Sequence, residues 1–262
     1  MGVRAVQVDS YEPGVPSWVD LGSPDPSQAA DFYGELFGWE CPAGPAEADG
    51  YRVCHIGGRP VAGIGTAQDP GPPVWATYVN VTDADATSAL VTASGGQVLV
   101  PPMDVMDAGR MAVFADPLGA VCSIWQPGVH RGAGLVNEPG TYSWSELITT
   151  DIDASIAFYS EVFGWGAATH GEGSGAYTEW QLSGRSVGGL MLKPPMMPAG
   201  VPPHWAIYFS VVDADIAVER IKELGGSLMM GPMDIEPGRF AVVADPAGAV
   251  FNVIALKPEL GE

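Results

Sequence analysis

The chain contains the same unit twice. Residues 18–40, WVDLGSPDPSQAADFYGELFGWE, align with residues 144–166, WSELITTDIDASIAFYSEVFGWG, at an offset of 126, with nine of 23 positions identical. The matches are Trp18/Trp144, Leu21/Leu147, Asp25/Asp151, Phe32/Phe158, Tyr33/Tyr159, Glu35/Glu161, Phe37/Phe163, Gly38/Gly164 and Trp39/Trp165. A second block repeats at offset 130, VWATYVNVTDADATSALVTASGG (74–96) against HWAIYFSVVDADIAVERIKELGG (204–226). GRMAVFADPLGA (109–120) then answers GRFAVVADPAGA (238–249) at offset 129. Small changes of offset between constant blocks are loop insertions and deletions, so the chain reads as a tandem of one fold. The expected boundaries are a first unit at 1–127, a linker at 128–140 in the Gly/Pro-bearing seam that runs from Pro127 to Gly140, and a second unit at 141–262.

Each copy carries a finer pattern. A short alternating strand, Trp18–Gly22, leads through Asp25 into an amphipathic run with Ala29, Phe32, Tyr33, Leu36 and Phe37 at helical spacing, and Gly38 suits its C-cap. Strands are predicted near Tyr51–Ile56 and Pro60–Gly65. The scheme then restarts with a strand over Trp75–Val81, a helix from Asp83 to Gly95-Gly96, and strands near Val98, Arg110–Ala115 and Ala120–Trp125. Asp116-Pro117-Leu118-Gly119 is a tight-turn signature between the last two. The whole chain thus holds four strand–helix–strands modules.

The first-strand alternation, the aspartate seven residues on, FYxxxFGW and the later DPxG together resemble the vicinal-oxygen-chelate superfamily, which groups glyoxalase I, bleomycin-resistance proteins and extradiol dioxygenases. The nearest likeness is to actinobacterial tandem glyoxalase-like proteins labelled hydroxylases. The resemblance spans residues 15–256. It implies an α+β fold of two tandem domains, each of two βαβββ modules forming a curled mixed sheet around a cavity. Such a fold hosts metalloenzymes, metal-free enzymes and drug-sequestering proteins, so it does not by itself choose a function.

The resemblance also implies where a metal would be held. The first-strand ligand positions fall on Trp18 and Trp144, and those of the following modules on Ala76 and Ala206. The late-strand positions fall on Ser123 and Asn252 and near Gly63 and Gly189. None of these eight is His, Asp, Glu or Cys, and Trp, Ala and Gly have no lone pair to offer a divalent ion. The expectation is therefore no metal ligand and no cofactor. His204 shares the strand phase of Ala206 and is the one candidate for an unconventional ligand, against a plain rim position; its counterpart is Val74. His55, His130 and His170 lack a paired histidine and read as structural or exposed.

Strand alternation places Trp18 and Asp20 in the first cup, with Gly22, and Glu146 with Trp144 and Ile148 in the second. Tyr78 and Asn80, then Ser123 and Trp125, complete the first; Tyr208 and Ser210, then Asn252 and Ile254, complete the second. Asp20 and Glu146 are the candidate catalytic groups, because a carboxylate stripped of water on an inward strand titrates high and serves as general base or counter-ion. The alternative is an acid held by a neighbouring Tyr or backbone. Trp18, Tyr78, Ser123, Trp125, Trp144, His204, Tyr208 and Asn252 are the candidate ligand contacts, the indoles by stacking or cation–π contact. Trp39/Trp165 and Trp75/Trp205 have the phase of core residues. Arg110 and Arg239 are read as local ion pairs to Asp104 and Asp234, with anion capture as the alternative.

The net charge of −20, from 11 Lys+Arg and 31 Asp+Glu, opposes nucleic acid and anionic membranes and favours cationic small molecules; it also fits a simple solubility strategy. The N-terminus lacks an apolar signal core and no run of about 18 apolar residues occurs, which reads as a cytoplasmic protein. Cys41, Cys54 and Cys122 have no CxxC spacing and read as reduced thiols. No GxGxxG, GxxxxGK[ST] or GxSxG motif is present. Two functions compete: a metal-independent binder of a small aromatic, amphipathic or cationic molecule, acting as monomer or homodimer, and a glyoxalase-like enzyme (lyase, isomerase or hydroxylase-associated) using a pocket carboxylate.

Overall fold

The computed structural model describes residues 6–67, 71–171 and 176–257. In chain order the elements are β1 (Val6–Gln7), β2 (Pro16–Ser23), α1 (Pro26–Phe37), β3 (Arg52–Ile56), β4 (Arg59–Thr66), β5 (Val74–Asn80), α2 (Ala84–Ala93), β6 (Gln97–Val105), β7 (Gly109–Ala115) and β8 (Val121–Pro127). A short β9 (Leu135–Val136) follows, then β10 (Tyr142–Thr149), α3 (Ile152–Phe163), β11 (Gly166–His170), β12 (Tyr177–Leu182), β13 (Arg185–Leu192), β14 (His204–Ser210), α4 (Ala214–Glu223), β15 (Ser227–Ile235), β16 (Gly238–Ala244) and β17 (Val250–Leu256).

The strands form two curled mixed sheets, β3-β4-β2-β5-β8-β7-β6 and β11-β12-β13-β10-β14-β17-β16-β15, neither closed into a barrel. In each, the two modules join through their first strands, β2 against β5 and β10 against β14, both antiparallel. This is the expected α+β tandem.

The repeated aspartates explain themselves as helix caps. Asp25 accepts from the Ser27 and Gln28 amides, Asp83 from Ala86, Asp151 from Ala154 and Asp213 from Ile216, supplying partners to amides a helix start leaves bare. Gly38 and Gly164 close α1 and α3 in the left-handed region, at φ 75° and 70°, where a Cβ would be strained.

The remaining repeated residues hold the halves together. Tyr33 of α1 donates to Asp245 of the second DPxG turn (3.2 Å), and Tyr159 of α3 donates to Asp116 of the first (3.2 Å). Each Tyr hydroxyl also accepts an indole N–H, from Trp75 and Trp205 respectively, both at 3.0 Å. The Trp39 indole donates to the Gly140 carbonyl and that of Trp165 to Gly14, 2.7 Å in each case. Phe37 packs on Phe209 and Phe251, and Phe158 and Phe163 pack on Phe114. Each half therefore lays its first helix on the other half's second module, burying the convex faces and leaving the concave faces outward.

Two departures from expectation occur. First, module one has no strand opposite the outer edge of β3 beyond an isolated bridge, Glu40 to His55, whereas β11 pairs with β12 over five residues. Pro42, which answers Ala168 of β11, lacks the amide hydrogen a ladder needs there. Secondly, Cys41 and Cys54 form a disulfide and are not the free thiols expected; only Cys122 stays free, and it is buried. The equivalent residues in the second copy, Ala167 and Trp180, face one another across the β11–β12 ladder. The fold itself thus brings the two sulfurs together, where sequence spacing alone gave no sign.

Candidate functional site: two carboxylate-centred cups

Strand register builds each cup. Trp18 lies opposite Tyr78, and Tyr78 beside Ser123, so one row crosses β2, β5 and β8. The adjacent row is Gly63, Asp20 and Ala76 on β4, β2 and β5. In the second cup Trp144, Tyr208 and Asn252 form the first row and Gly189, Glu146 and Ala206 the second. The alternating Val19, Leu21 and Leu147 go to the convex core. The phase read from the sequence is the phase observed.

A chain of hydrogen bonds converges on each acid. In the first cup the Trp18 indole donates to Tyr51 Oη (3.0 Å), and Tyr51 and Tyr78 donate to Asp20 Oδ2 at 3.1 and 3.0 Å. Ser123 in turn supports the Tyr78 hydroxyl. In the second, the Trp144 indole donates to Tyr177 Oη (2.9 Å), while Tyr208 donates to Glu146 Oε1 (3.0 Å) and Tyr177 to the same carboxyl. Asn252 differs from Ser123: its amide donates to the Ile207 carbonyl (3.2 Å). Burial pushes Asp20 up to about 6, partly offset by the two phenol donors that favour its charged form. Burial raises Glu146 likewise, again against its two tyrosines. The tyrosines themselves are held well above their ordinary range by burial and by the adjacent carboxylate.

Tyr51 and Tyr177 were not among the expected site residues. A signal existed: they stand 126 apart, the offset of the first repeated block. Their hydroxyls occupy the space over Gly63 and Gly189, where an added Cβ would come within 2.0 Å of the phenol oxygen. Those glycines stand near two of the eight positions at which the family resemblance would lead one to expect a metal ligand. Trp18 offers only an N–H already donated, Ala76 and Gly63 offer nothing, and Ser123 offers one hydroxyl; the second cup adds only an amide. Among the described residues, no three His, Cys, Asp or Glu side chains gather to hold a metal ion. This donor set does not fit a divalent cation.

The cups differ at one end. The row after Asp20 is Gly65, Gly22 and Val74, with no side chain on two of three strands; Val74 and nearby Val121 are 60% and 47% exposed. The matching row in the second cup is Met191, Ile148 and His204, and Ile148 is only 4% exposed. His204 does face this row, but its Nδ1 lies 2.9 Å from the Pro202 carbonyl in the same loop. The opposite end of the first cup is closed by His130, whose ring packs edge-on against Trp18 (centroids 4.3 Å apart) and Trp125 (5.6 Å). The Trp125 indole donates to the His130 carbonyl (2.9 Å), and burial pushes the imidazole down to about 4, so it is neutral. His130 belongs to the inter-unit stretch and has no counterpart at the repeat offsets, so nothing in the sequence placed it at the cup.

The arginines are structural. Arg110 grips Asp85 with two nitrogens (2.8 and 3.0 Å) and Asp104 with a third (2.8 Å), and Arg239 does the same to Asp215 and Asp234. Each pins the start of a helix to a hairpin and has little left for an anion.

Comparison with known proteins agrees with this architecture. The family model described as Glyoxalase/Bleomycin resistance protein/Dioxygenase superfamily matches residues 16–123 and 141–253. The Mycobacterium tuberculosis protein CFP32, whose name marks it only provisionally as a glyoxylase, is 42% identical over 95% of this chain and 97% of its own. The anthracycline biosynthesis protein DnrV of Streptomyces peucetius is 39% identical over 94% of this chain and 95% of its own. The fold matches a Mn(II)-bound glyoxalase from Novosphingobium aromaticivorans with TM-score 0.65 at 18% identity, over 94% of this chain and 83% of that one. It also matches the 2,3-dioxygenase LapB of Pseudomonas sp. KL28 with TM-score 0.64 at 15% identity, over 95% and 96%.

Proposed function

Because the chain belongs to the glyoxalase/bleomycin resistance/dioxygenase superfamily in both halves, we propose that it binds a small aromatic or amphipathic molecule without a metal, and that the first cup does the binding. The observation that carries this reading is the Trp18–Tyr51–Asp20–Tyr78 chain at the centre of the cup, beside a row in which Gly22 puts no side chain where the second cup has Ile148. A flat ligand enters past Val74 and Val121, lies over Ala76 and Gly22, and meets one carboxylate. Asp20 is mostly ionised at neutral pH, so an amine on the ligand gains a desolvated counter-ion, and the net charge of −20 draws such cations in. The similarity to an anthracycline biosynthesis protein supports an aromatic ligand class. Trp18, Ser123 and Trp125 shape the floor of the first cup. Trp144, Tyr208, Asn252, Glu146 and His204 shape the second, which Ile148 and Met191 fill.

The carriers of the cups are the units 1–127 and 141–262 joined by 128–140. Since the tandem supplies its own paired half, a monomer suffices, and neither nucleic acid nor membrane is a partner. No helix among the described residues is long and apolar enough to cross a membrane, and we take the cytoplasm as its place of action.

Titration with doxorubicin, an anthracycline probe with its own fluorescence, tests the reading. One molecule per chain should bind, and Gly22→Ile, which copies the second cup, should abolish binding with the fold retained, since a Cβ at Gly22 meets neighbours only at ordinary contact distance. Equal binding by the variant, no binding by the native chain, or stoichiometric divalent metal in the purified protein would each defeat it. A second reading is favoured by one observation, the Asp20 carboxyl near 6, which lets it exchange a proton close to neutrality as an acid/base. Under that reading Asp20→Asn abolishes turnover and leaves binding intact.

A further inference from the structure

A cavity of about 370 Å³ lies outside both cups, on the outer face of α1, walled by Ser27, Ala30, Gly34, Trp39, Cys41 and Arg52. One wall is the half-buried Cys41, whose sulfur is joined to the fully buried Cys54 of β3. Arg52 spans the same wall, donating to the Cys41 carbonyl and to Ser27 Oγ, both at 2.9 Å. Arg52 offers an approaching thiolate one cation, against Asp31 and Glu35 in the same lining.

The disulfide sits on a sheet edge that has little backbone pairing. In the second unit, β12 is held on its outer side by five residue pairs with β11. In the first, β3 is held there by one bridge, Glu40 to His55, and by the Cys41–Cys54 bond. Tyr51 is the residue immediately before β3, and its phenol ring fills the space over Gly63 and Gly65 next to Asp20. The covalent bond thus anchors the segment that carries the plug of the first cup. Nothing comparable exists in the second.

We propose that Cys41–Cys54 is a thiol-exchange site, opened by a dithiol reductant through the α1 cavity, and that opening it releases the Tyr51 plug from the first cup. A reductant thiolate attacks Cys41 Sγ, the accessible sulfur; the S–S bond breaks, and Cys54 leaves as a thiolate and takes up a proton. The second thiol of the reductant then attacks the mixed disulfide and frees Cys41. Two electrons and two protons pass from the dithiol to the protein, and the reductant ends as a disulfide. With the bond open, the outer edge of β3 keeps the Glu40–His55 bridge and the Arg52 contacts to the Cys41 carbonyl and Ser27, and the Tyr51 segment frays at a free energy well below global unfolding.

The test is hydrogen exchange with mass spectrometry on the full chain, with and without dithiothreitol under native conditions, followed by alkylation with iodoacetamide. The expected result is alkylation of Cys41 and Cys54 but not of buried Cys122. Exchange should rise about tenfold or more over residues 50–56, with residues 177–182 unchanged. Reoxidation with diamide should restore slow exchange. Cys54→Ala without reductant should match the reduced native chain, and Cys41→Ser, at the more exposed sulfur, provides the same reading if the buried substitution does not fold. A bond that yields only when all segments exchange together overturns the proposal. So does a bond that is reduced without faster exchange at 50–56.

Discussion

Asp20 is a carboxyl whose surroundings work against its charge. In the unfolded chain it titrates near 3.8 and in the fold near 6, so between those values the native state holds the extra proton. Stability therefore falls as pH rises from about 4 to about 6, by on the order of 2–3 kcal/mol, and is flat above for this group. Asp20→Asn keeps an oxygen to accept from Tyr51 and Tyr78 and removes the titration. Urea midpoints at about pH 4.5 and about pH 7 should thus differ less in the variant than in the native chain. Glu146 moves in the same direction and leaves a residual slope. Equal slopes in the two proteins would mean that Asp20 is well hydrated. The acid and its row were legible from strand phase. Tyr51, which caps Asp20, and Tyr177, which caps Glu146, each lie 31 residues beyond their acid. Alternation within a single strand cannot see a side chain arriving from two strands away.

Helices and turns were the elements read most directly, because their determinants are local. The cap aspartates act within three residues of themselves, and Asp151→Ala, which strips the Ala154 amide of its acceptor (3.0 Å), should cost about 1 kcal/mol in chemical denaturation. Loss of less than a few tenths would show that water replaces the cap. The outer edge of β3 was harder to read. Pro42 interrupts the ladder that the second copy forms with GAATH, and a disulfide takes over. Spacing of cysteines gave no hint of it; the register Ala167 to Trp180, transferred by the repeat, contains the information but only once a ladder is known.

At the scale of the molecule, each first helix is packed between its own sheet and the other half's second module. Tyr33 reaches Asp245 across 212 positions of sequence, and Tyr159 reaches Asp116. A half on its own would expose Tyr33, Phe37, Trp39, Phe209 and Phe251 or their equivalents. We expect one cooperative transition in calorimetry, with van't Hoff and calorimetric enthalpies in agreement, rather than one transition per half. Two resolved transitions would show that the shared face contributes little.

Local pattern and identity at a fixed offset were enough for the tandem repeat, the helix caps and the strand phase; the family resemblance added the expectation that Trp, Ala, Ser, Asn and Gly stand where metal ligands would. The fold settled what local pattern left open: Tyr51 and Tyr177 fill the centres of the cups, His130 closes one of them, and two cysteines join. Each of these is a meeting of side chains whose backbones are brought together by sheet curvature and by the packing of one half on the other, which no local pattern encodes.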